Sequence, residues 1–120
     1  AAAATRKKEA EEFAAAVLGV SLIAVIGHTE CGAVIATEDS VKTGELPPPS
    51  IDSVVEAIAP AVRPLPASAT TNDAIAANAR YQAQQIQNSS STLAEMTAAG
   101  TLGIVSGVFG VASSRVTWLP

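Results

Sequence analysis

The 120-residue chain contains one histidine and one cysteine, and they stand three positions apart in Val25-Ile26-Gly27-His28-Thr29-Glu30-Cys31-Gly32. An imidazole nitrogen and a thiolate sulfur are both good donors to zinc, and together they suit it better than a hard cation. A cysteine at the start of a helix has its thiolate stabilised by the free amides and the positive end of the dipole, which favours metal binding. Two other readings fit the same pair. His28 can be a turn residue making one backbone hydrogen bond, with Cys31 a small buried hydrophobe. Cys31 can instead be a nucleophile with His28 as its base, although the spacing supplies no third group to orient that base.

The flanking sequence must position the pair. Leu22 to Ile26 is an unbroken aliphatic run rich in β-branched residues, the pattern of a strand covered on both faces, and Gly27 should end it. Thr29 to Ala36 reads as a helix start, with Thr29 as its cap and Glu30 near the positive end of the dipole. His28 and Cys31 therefore belong at the carboxyl end of a strand, where open α/β sheets gather their ligands.

Before this strand, Ala10, Phe13, Ala14, Val17 and Leu18 line one face of a helix that Gly19 stops. After it, Lys42 to Pro49 is a linker with three consecutive prolines. Ser50 can cap a helix striped by Ile51, Val54, Val55 and Ile58, which Pro60, Pro64 and Pro66 break. Asn72 and Asp73 can start another, in which Ile75, Asn78, Ala79, Gln82 and Ile86 share a face. Ser89 to Ser91 interrupts it, and Leu93 and Met96 lie on a short helix closed by Gly100. Leu102 to Phe109 and Val116 to Leu119 read as strands joined in a hairpin through Val111 to Ser114. Strand, helices, strand, strand gives an α/β fold with a parallel crossover and an antiparallel carboxyl-terminal hairpin.

Composition narrows the function. The length suits one domain, divided into a low-complexity segment over residues 1–10 and a domain over residues 11–120. Twenty-five alanines leave the core to Val, Ile and Leu. Seven basic against eleven acidic residues give a net charge of −4, and the four cations from Arg6 to Lys42 are followed by only three more, so the chain offers no phosphate-binding surface for nucleic acid. The longest uncharged apolar stretch, residues 13–27, is too short for a membrane span. A single cysteine excludes an internal disulfide and any zinc site needing two cysteines from this chain, and favours a reducing compartment such as the cytoplasm or an organelle interior. The opening Ala-Ala-Ala-Ala-Thr-Arg-Lys-Lys has no methionine, so Ala1 is not expected to be where translation began.

Leu18-Gly19-Val20, the run Leu22 to Ile26 and Gly27-His28-Thr29-Glu30-Cys31-Gly32-Ala33 resemble the central segment of the β-class carbonic anhydrases. Asn78-Ala79-Arg80 resembles that family's Asn-centred helix. Gly100-Thr101-Leu102-Gly103-Ile104-Val105 and Val116-Thr117-Trp118-Leu119 resemble its last two strands. The resemblance covers residues 11–119 and implies that His28 and Cys31 are zinc ligands, that carbon dioxide and bicarbonate are the substrates, and that the chain is a homo-oligomer or a subunit of a larger complex.

The departures count equally. The family's third zinc ligand lies on an earlier strand, in a Cys-x-Asp-x-Arg segment that this sequence lacks. Phe109-Gly110 stands where the family often has an aromatic followed by an acidic or amide residue. Hydration of carbon dioxide needs zinc on three protein ligands with one open position, so that bound water ionises near neutrality. Glu38 and Asp39, two helical turns past Cys31, should point away from the strand end and replace nothing. Two functions follow: zinc-dependent hydration if the missing segment is supplied, or a catalytically degenerate structural or interaction subunit. No residue of this chain is assigned a catalytic role beyond metal binding.

Overall fold

The computed structural model describes residues 2–120, with side chains from Arg6 onward. The elements are α1 (Ala2–Ala16), β1 (Leu22–His28), α2 (Gly32–Thr43), α3 (Asp52–Val62), α4 (Thr71–Ser89), α5 (Ser91–Ala98), β2 (Gly103–Gly110) and β3 (Arg115–Trp118). The sheet order is β1-β2-β3. β1 and β2 run parallel, with Leu22 opposite Gly103 and His28 opposite Phe109, and β3 returns antiparallel beside β2. This is the expected α/β arrangement, a helical crossover followed by an edge hairpin.

α4 is the helix that holds the sheet. Thr70 and Asp73 form a reciprocal capping box at its start, with the cap two residues before the Asn72 that the sequence suggested. Its buried positions Ala74, Ile75, Ala79 and Ile86 follow helical spacing and pack on β1 and β2. Gly27 does not end β1; it lies within it and lets α4 approach. A Cβ there would stand 3.2 Å from Ile75 Cγ2 and 3.7 Å from Ala79 Cβ.

Two clusters form the core. Val34, Ile58, Val62, Ala74 and Ile75 join α2, α3 and α4. Ala15, Ile86, Leu93 and Leu102 join α1, α4 and α5, with Ile23, Val25 and Ile104 of the sheet against them. Burying each large aliphatic stabilises the fold by about 1.5–3 kcal/mol.

Three local expectations change. Ile51, not Ser50, precedes α3, and Pro60 lies inside that helix. Pro60 is tolerated because the helix ends two residues later and the carbonyl it leaves free belongs to exposed Glu56, within reach of water. The stripe expected to bury α1 is outside: Phe13, Val17 and Leu18 are exposed, and small Ala15 makes the close contact instead.

The third change concerns β1. Its residues alternate, with Leu22, Ala24, Ile26 and His28 exposed and Ile23, Val25 and Gly27 half-buried. The run is covered on one face, because α4 packs on that side and nothing among the described residues covers the other. Register carries the bare face across the sheet through Val105 to Val116 and Trp118, whose ring lies over Gly107. Leu22, Ile26 and Trp118 keep 54%, 42% and 57% of their surface exposed. β1 also has a strand neighbour on one side only among the described residues.

Candidate metal centre

His28 is the last residue of β1 and Cys31 is the N-cap of α2, so the two-residue turn Thr29-Glu30 joins the candidate ligands. Thr29 does not cap the helix. Its N–H donates to the Phe109 carbonyl at 3.0 Å, and its hydroxyl oxygen accepts the Val111 N–H at 2.9 Å. Both bonds fasten the turn to the β2–β3 hairpin. Glu30 follows with φ of 58°, outside the helix and in the left-handed region, which reverses the chain sharply enough to begin α2 at Gly32.

His28 Nδ1 lies 2.9 Å from the carbonyl oxygen of Thr29. A carbonyl only accepts, so in the neutral ring Nδ1 carries the proton and Nε2 keeps its lone pair. Nε2 has no hydrogen-bond partner among the described residues. This is the tautomer that metal ligation through Nε2 requires, fixed by a backbone acceptor as ligating histidines usually are.

Cys31 is a free, half-buried thiol in extended conformation, with φ of −77° and ψ of 107°, and its side chain makes no capping bond. Its carbonyl accepts the Ile35 N–H, the first helical bond of α2. One side of the residue packs against the Val34, Ile58, Val62, Ala74 and Ile75 cluster. Cys31 thus stands at the rim of the core, at the N-cap position of α2.

The donor types fit zinc, but the set is short. Among the described residues no group of three His, Cys, Asp or Glu side chains could hold a metal ion. Asn78 is half-buried and accepts from Gln82 Nε2 at 3.0 Å, while Gln82 also donates to the Ala57 carbonyl, so this pair ties α4 to α3. Arg80 is exposed. A cleft of about 310 Å³ between α1, α3 and α4 is lined by Lys7, Glu11, Tyr81 and Gln82, and neither His28 nor Cys31 borders it.

Sequence reasoning named His28 and Cys31 as candidates and missed the work of Thr29. Its partner Val111 is 82 residues away, and no local spacing signals a bond of that range.

A strand-end imidazole and a thiol at a helix N-cap position, beside a parallel strand pair, define an α/β domain with two candidate metal donors on one turn. The sequence profile described as carbonic anhydrase matches residues 4–116, and the chain belongs to the carbonic anhydrase family. It is 35% identical over 108 residues to a carbonic anhydrase of Mycolicibacterium smegmatis, covering 88% of this chain and 52% of that protein. It is 47% identical over 51 residues to carbonic anhydrase 2 of Mycobacterium tuberculosis, covering 42% of this chain and 25% of that one. Among solved structures, the β-carbonic anhydrase CcaA matches with a TM-score of 0.66 at 18% identity, over 92% of this chain and 52% of that one. The wild-type β-carbonic anhydrase CafD of Aspergillus fumigatus matches with a TM-score of 0.66 at 20% identity, over 94% of this chain and 65% of that one. The fold is that of the β class, and the chain spans about half the length of the M. smegmatis relative.

Proposed function

We propose that this chain supplies two zinc ligands, His28 and Cys31, to a β-class carbonic anhydrase site that reversibly hydrates carbon dioxide to bicarbonate, and that a further polypeptide segment supplies the third. The observation that carries the reading is the hydrogen bond from His28 Nδ1 to the Thr29 carbonyl, which leaves Nε2 free at the end of β1. The bare edge of β1 supports the second part, since a strand paired there would end beside the same turn. Zinc, when bound, acidifies water and so supplies the nucleophile for carbon dioxide at neutral pH. His28 contributes a pre-oriented nitrogen and Cys31 a half-buried sulfur at the start of α2. A lone thiolate ligand needs a reducing compartment to survive, and the completed assembly is an oligomer in this reading.

The test is zinc content and carbon dioxide hydration of the 120-residue chain, alone and co-expressed with the part of the M. smegmatis relative that it does not match. Alone, the chain should hold less than about a tenth of an equivalent of zinc. Co-expression should bring zinc to stoichiometry and restore hydration, and His28→Ala or Cys31→Ser should abolish both. Stoichiometric zinc that survives both substitutions would overturn the ligand assignment.

A second reading is a degenerate interaction subunit. The apolar sheet face and the shortage of donors favour it. A stable complex with the co-expressed segment that takes up no zinc would select this reading.

A further inference from the structure

We infer that Thr29 is a positioning residue, which locks the His28 ring in its metal-ready form by fastening the ligand turn to the β2–β3 hairpin. The inference rests on the zinc reading above for its purpose, but its geometry stands alone. Three hydrogen bonds meet at this residue: its N–H donates to Phe109, its hydroxyl accepts from Val111, and its carbonyl accepts from His28 Nδ1.

The first two decide where the third acceptor lies. His28 is exposed, so packing alone does not hold its ring. A free imidazole side chain prefers its proton on Nε2, which would block that nitrogen as a ligand. Holding the proton on Nδ1 requires an acceptor fixed within hydrogen-bond reach, and here that acceptor belongs to the next residue in the chain. Backbone freedom around Thr29 would let it swing away. The tie to Phe109 uses the main chain and would survive any side chain, whereas the tie to Val111 uses the hydroxyl and is specific to Thr or Ser. The hairpin carrying Phe109 and Val111 thereby becomes a support for the ligand, although it brings no donor of its own.

Thr29→Val removes the hydroxyl at nearly constant shape, and Thr29→Ser keeps it. Imidazole ¹⁵N shifts of the metal-free chain, recorded at about pH 8.5 where imidazole is ordinarily neutral, report the tautomer. Amide exchange of Val111 reports the tie itself. The wild type should show the Nδ1–H form and a protected Val111 amide. Thr29→Val should shift the ring toward the Nε2–H form and speed Val111 exchange, and Thr29→Ser should restore both. In the completed zinc-binding assembly, Thr29→Val should weaken zinc binding about 10–100-fold in competition with a chromophoric chelator, the usual effect of losing a ligand's support.

An Nε2–H form in the wild type overturns the inference without recourse to any variant. So does a Thr29→Val protein that loses stability in urea yet keeps the wild-type ring signature. Neither readout involves metal, so failure of the zinc assignment, seen in the His28→Ala and Cys31→Ser titrations, is a separate result.

Discussion

At the scale of single residues, Gly27 decides how closely α4 meets the strand that ends in His28. Its missing side chain is the space in which Ile75 sits, with Cγ2 only 3.2 Å from where a Cβ would be. Gly27→Ala should therefore cost about 1–3 kcal/mol by overpacking, although alanine is ordinarily the better strand residue. A urea midpoint equal to wild type would show that Ile75 can retreat. Glu30 is the other residue of special conformation near the site. Its φ of 58° is unusual for a side-chain-bearing residue and turns the chain between the two ligand candidates. Neither feature shows in the hydrophobic pattern, which reads Gly27 as a stop and Glu30 as helical. Both residues act through backbone geometry, which periodicity does not encode.

At the scale of elements, α1 is attached by small and polar contacts rather than by its apolar stripe. Ala15 packs into the second cluster, and Ser90, the cap of α5, donates to Glu12 at 2.6 Å. Glu11 stands half-buried beside them, 3.9 Å from Lys7. Burial raises its carboxyl above the ordinary range; Lys7 opposes this shift, and Glu12 adds to it. A carboxyl whose folded value is raised contributes stability below its unfolded value and loses that contribution as pH rises through the folded one. Glu11→Gln should therefore gain on wild type as pH increases. Comparing urea midpoints at about pH 3.5 and about pH 7.5 checks this, and an equal difference at both would refute it. Elsewhere the elements follow the sequence closely. The Ile75, Ala79 and Ile86 stripe of α4 is buried as its spacing requires, and the two carboxyl-terminal strands form the expected hairpin.

At the scale of the whole molecule, one sheet face lies open among the described residues, and so do apolar residues at the end of α1. Leu22, Ile26, Val105, Val116 and Trp118 share that face, and Phe13, Val17 and Leu18 are exposed on and just after the helix that leads into it. Exposed apolar patches beyond a few hundred Å² mark interaction surfaces or aggregation-prone ones. The isolated chain should accordingly bind a hydrophobic dye and self-associate with rising concentration. Ile26→Lys with Trp118→Lys should suppress both at little cost in stability, since each side chain is already about half exposed. Sedimentation velocity over a concentration series measures the outcome, and a monodisperse wild-type monomer without dye binding would contradict it. Among the described residues no helix is long and apolar enough to cross a membrane.

The sequence by itself determined the family and the order of elements, and it named His28 and Cys31 as the candidate pair, because these are written in local spacing: an aliphatic run, a turn and a helix start. Tertiary structure alone decided which nitrogen of His28 is free, through a carbonyl held by residues some eighty positions downstream. It also decided that, among the described residues, β1 is covered on one face only. An unbroken aliphatic run states that a strand is suited to burial on both sides, but whether a second layer is present depends on what else packs there, and no run of residues carries that information.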